Sequence, residues 1–361
     1  MIQLRSTGRS GMTGGPRTES DIPDDGRLGI ARVRLPLAVA VLFAAIAVAS
    51  ALSVLYGSRV VTMDDVMRAF ADPAAHDIAA EAVRLRMPRT VLGLLVGAAL
   101  GLAGAVMQGV ARNPLADPSI LGLNAGAAFA IVLSIAVAGL DTPVEYMAVA
   151  LIGCALTAVA VWILGSMGRS GPTPLKLTLA GAVLASVLSS LTSAVMLPRV
   201  DVISAYRYWQ VGGLAGARFS LMGSIIPFLV AGTVLCVMSA RALNVLALGD
   251  HLAVGLGMNV MRMRVMAWVG TVLLCAGATS LAGPIGFVGL IVPHAARLMV
   301  GPDYRRIMAL SVLLGALLLV CSDVIGRVVS RPDDVQVGIV TALVGAPVFV
   351  ALVRRRKIAQ V

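Results

Sequence analysis

Long apolar runs limit the possible folds of this sequence more than any other feature. A helix that crosses the hydrocarbon core of a bilayer needs ~20 mainly apolar residues. Runs near that length occur at about residues 35–56, 90–110, 122–140, 145–167, 175–197, 221–240, 265–282, 287–300, 309–329 and 337–353. Only 13% of the residues are charged, about half the share in a soluble globular protein. The pattern predicts an all-α, polytopic membrane protein with about ten transmembrane helices.

The basic residues indicate the orientation of these helices. If ten spans alternate in direction, 19 of the 29 Lys and Arg residues fall on the side of the N-terminus. Cytoplasmic segments are enriched in Lys and Arg, so we predict that both termini are cytoplasmic. Residues 1–35 are polar and without periodicity, which predicts a disordered cytoplasmic tail. Residues 36–355 would then form the transmembrane domain, and residues 356–361 a second cytoplasmic tail.

Small residues recur at every fourth position in two of the runs, and so lie on one face of each helix. This pattern lets membrane helices bring their backbones into close contact. An ordinary buried helix rich in Gly and Ala is the alternative interpretation. The predicted helix-packing residues are Gly93, Gly97, Gly101, Ala105, Gly109, Gly338, Ala342 and Ala346.

The sequence argues against an ATPase or metal site within this chain. A phosphate-binding loop of the form GxxxxGK[ST] needs a lysine directly after glycine. The only two lysines, Lys176 and Lys357, do not follow glycine. Any ATP and Mg²⁺ would therefore bind a separate subunit, and no cofactor is expected in this chain. The four cysteines and three histidines lack metal-ligand spacing. Membrane topology explains the excess of basic residues better than nucleic-acid binding does.

Three stretches together resemble the FecCD-type permeases of ABC importers, a family that takes up iron–siderophores, haem and cobalamin. The first is RLRMPRTVLGLLVGAALGLAGAVMQGVARNPLADPSILG at 84–122, and the second is ALGDHLAVGLGM at 247–258. The third begins with LAGPIGFVGLIVPHAARLMVGPDYRR at 281–306 and continues through SDVIGRVV and VGIVTALVGAPVFVALVRR. The resemblance covers roughly residues 36–355.

The resemblance implies partners and a location. It implies a second permease subunit, which could be a copy or a paralogue. It also implies two cytoplasmic ATPase subunits and an extracytoplasmic binding protein, around a multi-pass subunit of a bacterial cytoplasmic (inner) membrane. The chain would be a transporter subunit without an ATPase site of its own, and not an enzyme.

The segment between the sixth and seventh spans, residues 243–262, is short and interrupted by glycines. The resemblance implies that it couples the ATPase to the permease, whereas the residues alone also fit a plain helix–turn–helix connection. The predicted coupling residues are Ala247, Leu248, Gly249, Asp250, His251, Leu252, Ala253, Gly255, Leu256 and Gly257.

Three arginines are placed at the outer ends of spans. Arg86 and Arg89 precede the second span, and Arg327 ends the ninth. The resemblance implies that they receive acidic residues of the binding protein, a role that suits the guanidinium group because it binds carboxylates bidentately. Contact with lipid headgroups or with local acids is the alternative. Arg327 follows Asp323 by four residues, so the two can pair within one helix.

The resemblance implies inward transport of ferric siderophores by alternating access, with haem and cobalamin as alternative ligands. An ion-coupled secondary transporter is an alternative of a different functional class. It would need acids inside the membrane, and Asp323 is the only one well inside an apolar run.

Overall fold

The computed structural model describes residues 35–57, 61–72, 78–168, 172–331 and 333–358. The predicted N-terminal tail lies outside the described residues, apart from Leu35, which begins the first helix. The last helix continues to Ile358, so it passes the predicted end of the transmembrane domain at residue 355.

The described residues form an all-α fold in which each of the ten predicted spans is a helix. Seven are long and apolar enough to cross a membrane, and three are shorter apolar helices. The fold class predicted from the sequence is therefore confirmed. The ten helices are α1 (Leu35–Leu55), α3 (Ile78–Ala111), α4 (Leu123–Ala138), α5 (Pro143–Ser166), α6 (Pro174–Met196), α8 (Phe219–Leu246), α10 (Val260–Ala282), α11 (Val288–Val300), α12 (Tyr304–Val329) and α13 (Val337–Ile358).

Among the described residues, the connections contain three further α-helices, α2 (Met63–Ala71), α7 (Val200–Gln210) and α9 (Asp250–Gly255), and a short 3-10 helix (Pro118–Leu121). Several helices begin at a residue whose side chain caps the first turn. Thr142 accepts a hydrogen bond from the amide of Glu145, whose carboxylate in turn binds the Thr142 amide. This reciprocal pair satisfies two amides that have no partner inside the helix.

Helix α3 forms the centre of the fold and packs against α1, α8, α10, α11 and α12. Its glycines allow this close packing. A Cβ atom at Gly97 would overlap the carbonyl group of Gly315 on α12, and one at Gly104 would overlap the backbone of Gly289 on α11.

The start of α3 differs from the prediction. The sequence places the second span at about 90–110, whereas α3 begins at Ile78 and contains Pro88. Its 34 residues extend about 51 Å, well beyond the ~30 Å hydrocarbon core. Arg86 and Arg89 consequently lie within a helix, with fixed directions, and not in a loop.

Candidate functional site

The coupling segment predicted at 243–262 forms a helix–turn–helix unit with a short helix at its tip. Helix α8 ends at Leu246, α9 covers Asp250–Gly255, and α10 begins at Val260. Gly249 has φ 112° and Gly257 has φ 80°, a region that favours glycine because other residues are strained there. These two glycines turn the chain on either side of α9.

Asp250 holds α9 against the rest of the protein. Its carboxylate accepts two hydrogen bonds from Arg264 Nη2, at 2.8 and 3.0 Å. Arg112, at the end of α3, lies 3.4 Å from the same carboxylate. The ion pairs connect α9 to both α10 and α3, so that a movement of α9 can be transmitted directly to the central helix, α3.

The solvent-facing side of α9 and of the residues next to it is apolar and exposed. Ala253 is fully buried, whereas Leu252 is 60% exposed and Leu248, Val254 and Leu256 are exposed to a similar degree. His251 is exposed beside them. An exposed apolar patch of this kind is typical of a protein–protein contact.

At the opposite end of the helices, the structure brings the three predicted docking arginines together. Arg86 and Arg327 both approach the last turn of α1. Arg86 Nη1 donates to the carbonyl oxygens of Val54 and Leu55, at 2.9 and 3.0 Å. Arg327 Nη1 donates to the carbonyl oxygen of Ser53 at 2.9 Å. The last carbonyl groups of a helix have no partner within it and carry partial negative charge, so the two arginines cap α1.

Asp323 is shared by two of these arginines. Arg327 Nη2 lies 2.8 Å from Asp323 Oδ2, which confirms the pair expected from the four-residue spacing. Arg89 donates to Asp323 Oδ1 from Nε at 3.0 Å and from Nη2 at 2.8 Å. Arg89 also lies 2.7 Å from Asp334, in the connection that leads to α13. The network therefore joins α3, α12 and the segment before α13.

Burial of this network sets it apart from surface ion pairs. The side chains of Asp323 and Arg327 are 1% and 2% exposed, that of Arg89 is 11% exposed, and that of Asp334 is 31% exposed. The docking role predicted for the arginines stays a prediction, since in this conformation their guanidinium groups already bind groups of the same chain. Asp334 is the part that sequence reasoning missed, because it lies in a polar connection with no pattern of its own.

A cavity of about 330 Å³ lies beside Arg89 and Asp334. Its other lining residues include Trp209, Leu214 and Gln336. Trp209 Nε1 and Gln336 Oε1 are buried and have no hydrogen-bond partner among the described residues. The cavity therefore combines a mainly apolar wall with the Arg89–Asp334 ion pair.

The two stripes of small residues have different surroundings. In α3, Gly93, Gly97, Gly101 and Gly109 face neighbouring elements closely, and Ala105 is fully buried. In α13, Gly338 packs against the backbone of Val211, while Ala342 is partly exposed and Ala346 is exposed. The last two line an open groove with Leu343 and Pro347, so this chain alone does not cover that part of the stripe.

Within the described residues, no group of three or more His, Cys, Asp or Glu side chains could hold a metal ion. The candidate functional features are therefore α9 with its ion pairs at one end of the bundle and the arginine network at the other.

The sequence profile of the FecCD transport family matches residues 33–355. The chain belongs to the FecCD transport family. It is 42% identical to the ferric enterobactin transport system permease protein FepD of Escherichia coli, over 91% of this chain and 98% of that protein. It is also 40% identical to YfiZ of Bacillus subtilis, a probable siderophore transport system permease, over 75% of this chain and 81% of that protein.

More distant members of the family carry other ligands in their names. The cobalamin import system permease protein BtuC of Halobacterium salinarum is 38% identical, over 76% of this chain and 73% of that protein. Among solved structures, an inward-facing metal-chelate type ABC transporter matches with a TM-score of 0.77 at 26% identity, over 89% of this chain and 99% of the other. The family predicted from the three sequence stretches is therefore confirmed, and the chain is a multi-pass membrane permease.

Proposed function

We propose that this chain is the transmembrane permease subunit of an ATP-driven ABC importer that carries ferric siderophores inward. The observation that carries the proposal is the family match over nearly the whole membrane domain, together with 42% identity to a ferric enterobactin permease. Transport would occur by alternating access. ATP and Mg²⁺ would bind two separate cytoplasmic ATPase subunits, and this chain would carry out no covalent chemistry.

Helix α9 is proposed as the contact for the ATPase subunit. Leu252 and the flanking Leu248 and Leu256 would enter an apolar groove of that subunit. The Asp250 ion pairs would transmit movement to α3 and α10. The apolar tip and its buried base at Ala253 support this assignment. Closure of the ATPase pair on ATP would then shift the permease helices relative to those of the second permease subunit.

The arginine network is proposed as the contact for an extracytoplasmic binding protein. Arg89 is the member best placed for it, because its partner Asp334 is the most exposed residue of the network. A carboxylate of the binding protein would replace Asp334 on Arg89, while Asp323 would continue to neutralise the buried charge. Docking would thereby free the segment before α13 from α3.

The groove along Ala342 and Ala346 is proposed as part of the contact with the second permease subunit. Helix α6, which has only three buried residues within this chain, is a further candidate. The composition of the purified complex would show whether the second permease subunit is a copy of this chain or a paralogue.

Co-purification tests the importer assignment. The tagged full-length chain, extracted from its native membranes in a mild detergent, should bring a stoichiometric ATPase subunit with it. Leu252→Glu should abolish this association, because it places a charge in the proposed apolar contact. Leu197→Glu is the matched control, since Leu197 is also exposed but lies at the end of α6 on the outer side. Retention of the ATPase by the Leu252→Glu variant would contradict the coupling role of α9.

The ligand is tested by uptake in cells that carry or lack the gene. Radiolabelled iron should enter as catecholate or hydroxamate complexes only when the gene is present, while cobalamin uptake should not change. Uptake should stop on ATP depletion and continue in the presence of an uncoupler. The opposite energy dependence would support the ion-coupled alternative and direct attention to Asp323.

A further inference from the structure

A groove of about 570 Å³ runs along the outside of the bundle between α8 and α12. Buried side chains of Leu102, Ala240 and Met308 form its floor. Its walls include Val237 and Val312. The groove extends along α8 from Thr233 to Arg241, two helical turns or about 12 Å. It therefore lies in the half of α8 nearest α9.

Two arginines stand at the end of this groove that faces the cytoplasmic side. Arg241 lies near the end of α8, and Arg305 lies in the first turn of α12. Both side chains are exposed and both line the groove. Neither guanidinium group forms an ion pair with an acid in the part of the chain that the structure describes. Two positive charges thus stand together above an apolar surface.

Asn244 fixes the spacing of the two arginines. It accepts a hydrogen bond from the Tyr304 amide at 2.8 Å, and its Nδ2 atom donates to Asp303 at 2.8 Å. Arg241 precedes Asn244 by about one turn, and Arg305 directly follows Tyr304. The hydrogen bonds therefore hold together the parts of α8 and α12 that carry the two arginines. Asp303 accepts hydrogen bonds from Asn244 and from the backbone amide of Arg305, at 2.8 and 3.0 Å, and its carboxylate lies 3.6 Å from the Arg306 side chain.

We propose that the groove is a binding site for an anionic phospholipid of the cytoplasmic leaflet. One acyl chain would lie on the apolar floor, and the phosphate would lie between Arg241 and Arg305. Basic pockets between transmembrane helices on the cytoplasmic side bind the headgroups of anionic lipids. The charge of the two arginines favours a lipid over an apolar helix of another subunit, because a helix would leave both cations unpaired. The proposal is independent of the transported ligand.

Native mass spectrometry of the full-length chain tests the proposal, with phosphatidylglycerol and phosphatidylcholine added to the detergent-solubilised protein. The wild type should bind phosphatidylglycerol in preference. Each arginine near an anionic headgroup contributes roughly fivefold to the affinity, so R241Q/R305Q should weaken phosphatidylglycerol binding about 30-fold. R305Q alone should give about a fivefold loss. Ala309→Trp, which fills the groove without a change in charge, should also weaken binding.

The matched control is R262Q/R354Q, which removes two other exposed arginines away from the groove. An equal loss in this control would overturn the proposal, because the effect would then be one of overall charge. Unchanged phosphatidylglycerol binding in R241Q/R305Q would also overturn it. So would dissociation of permease dimers by Ala309→Trp, since the groove would then be covered by a second subunit.

Discussion

Replacement of Asp323 by asparagine tests whether the buried arginine network stabilises the outer end of the bundle. The substitution keeps the size of the side chain and removes its negative charge. Arg89 and Arg327 would keep their positions but lose the carboxylate that both contact, at 2.8 Å each. Arg327 is almost fully buried, so water cannot replace the lost partner.

The expected loss follows from burial. Removal of one partner from a buried ion pair costs about 3–5 kcal/mol, because the remaining charge is left uncompensated. Asp334→Asn is the matched control, because Asp334 also contacts Arg89 but is partly exposed and, among the described residues, forms an ion pair with Arg89 alone. A partly exposed pair contributes about 1 kcal/mol or less. The two variants should therefore differ by about 2–4 kcal/mol in the free energy of unfolding.

Denaturant titration of the purified full-length chains in detergent, followed by tryptophan fluorescence, measures this difference. Asp323→Asn should unfold at a clearly lower denaturant concentration than Asp334→Asn. If the two variants unfold together near the wild-type midpoint, the arginines do not depend on Asp323, and the carbonyl groups of α1 are sufficient partners for them.

Two further predictions concern packing and pH. Gly97→Ala should destabilise the protein by about 1–3 kcal/mol, because its Cβ atom would overlap the backbone of Gly315. Gly223→Ala, with nothing within 4 Å of the added atom, should be neutral or stabilising by about 0.5–1 kcal/mol, and thermal unfolding compares the two. The hydrogen bond from Asn244 holds the pKa of the Asp303 carboxyl group below its usual value. The stabilisation of the folded state that results is present above the usual pKa and is lost as the pH falls below about 4. Asn244→Ala lacks this stabilisation, so between about pH 6 and about pH 3 it should lose less stability than the wild type. Equal acid sensitivity of the two proteins would contradict the assignment.

The sequence located the coupling segment around α9 but did not predict the contacts that hold it in place. The glycines around Asp250 predicted a break in the chain between two spans, and the structure has α9 at that point. The sequence did not indicate that Asp250 pairs with Arg264 and Arg112, because these partners become neighbours only when α3 and α10 pack together. The exposure of the apolar face of α9 likewise depends on which side of the short helix is buried.

The amino-acid sequence by itself determined the ten apolar helices of the membrane domain. Backbone groups in lipid must be satisfied within the segment, so an apolar run of sufficient length forms a helix whatever surrounds it. The family could also be predicted from the sequence, because each of the three stretches that resemble it is continuous in the chain.

Apart from the Arg327–Asp323 pair, which the four-residue spacing already indicated, only the tertiary structure decided what the outer arginines contact. The sequence placed Arg86 and Arg89 before the second span, whereas α3 begins at Ile78 and carries Arg89 to Asp323, 234 residues away in the chain. Local polarity identifies a charged residue but not its partner. A charge near the end of a transmembrane helix can face water, lipid headgroups or another helix, and only the packing of α1, α3 and α12 selects the last of these.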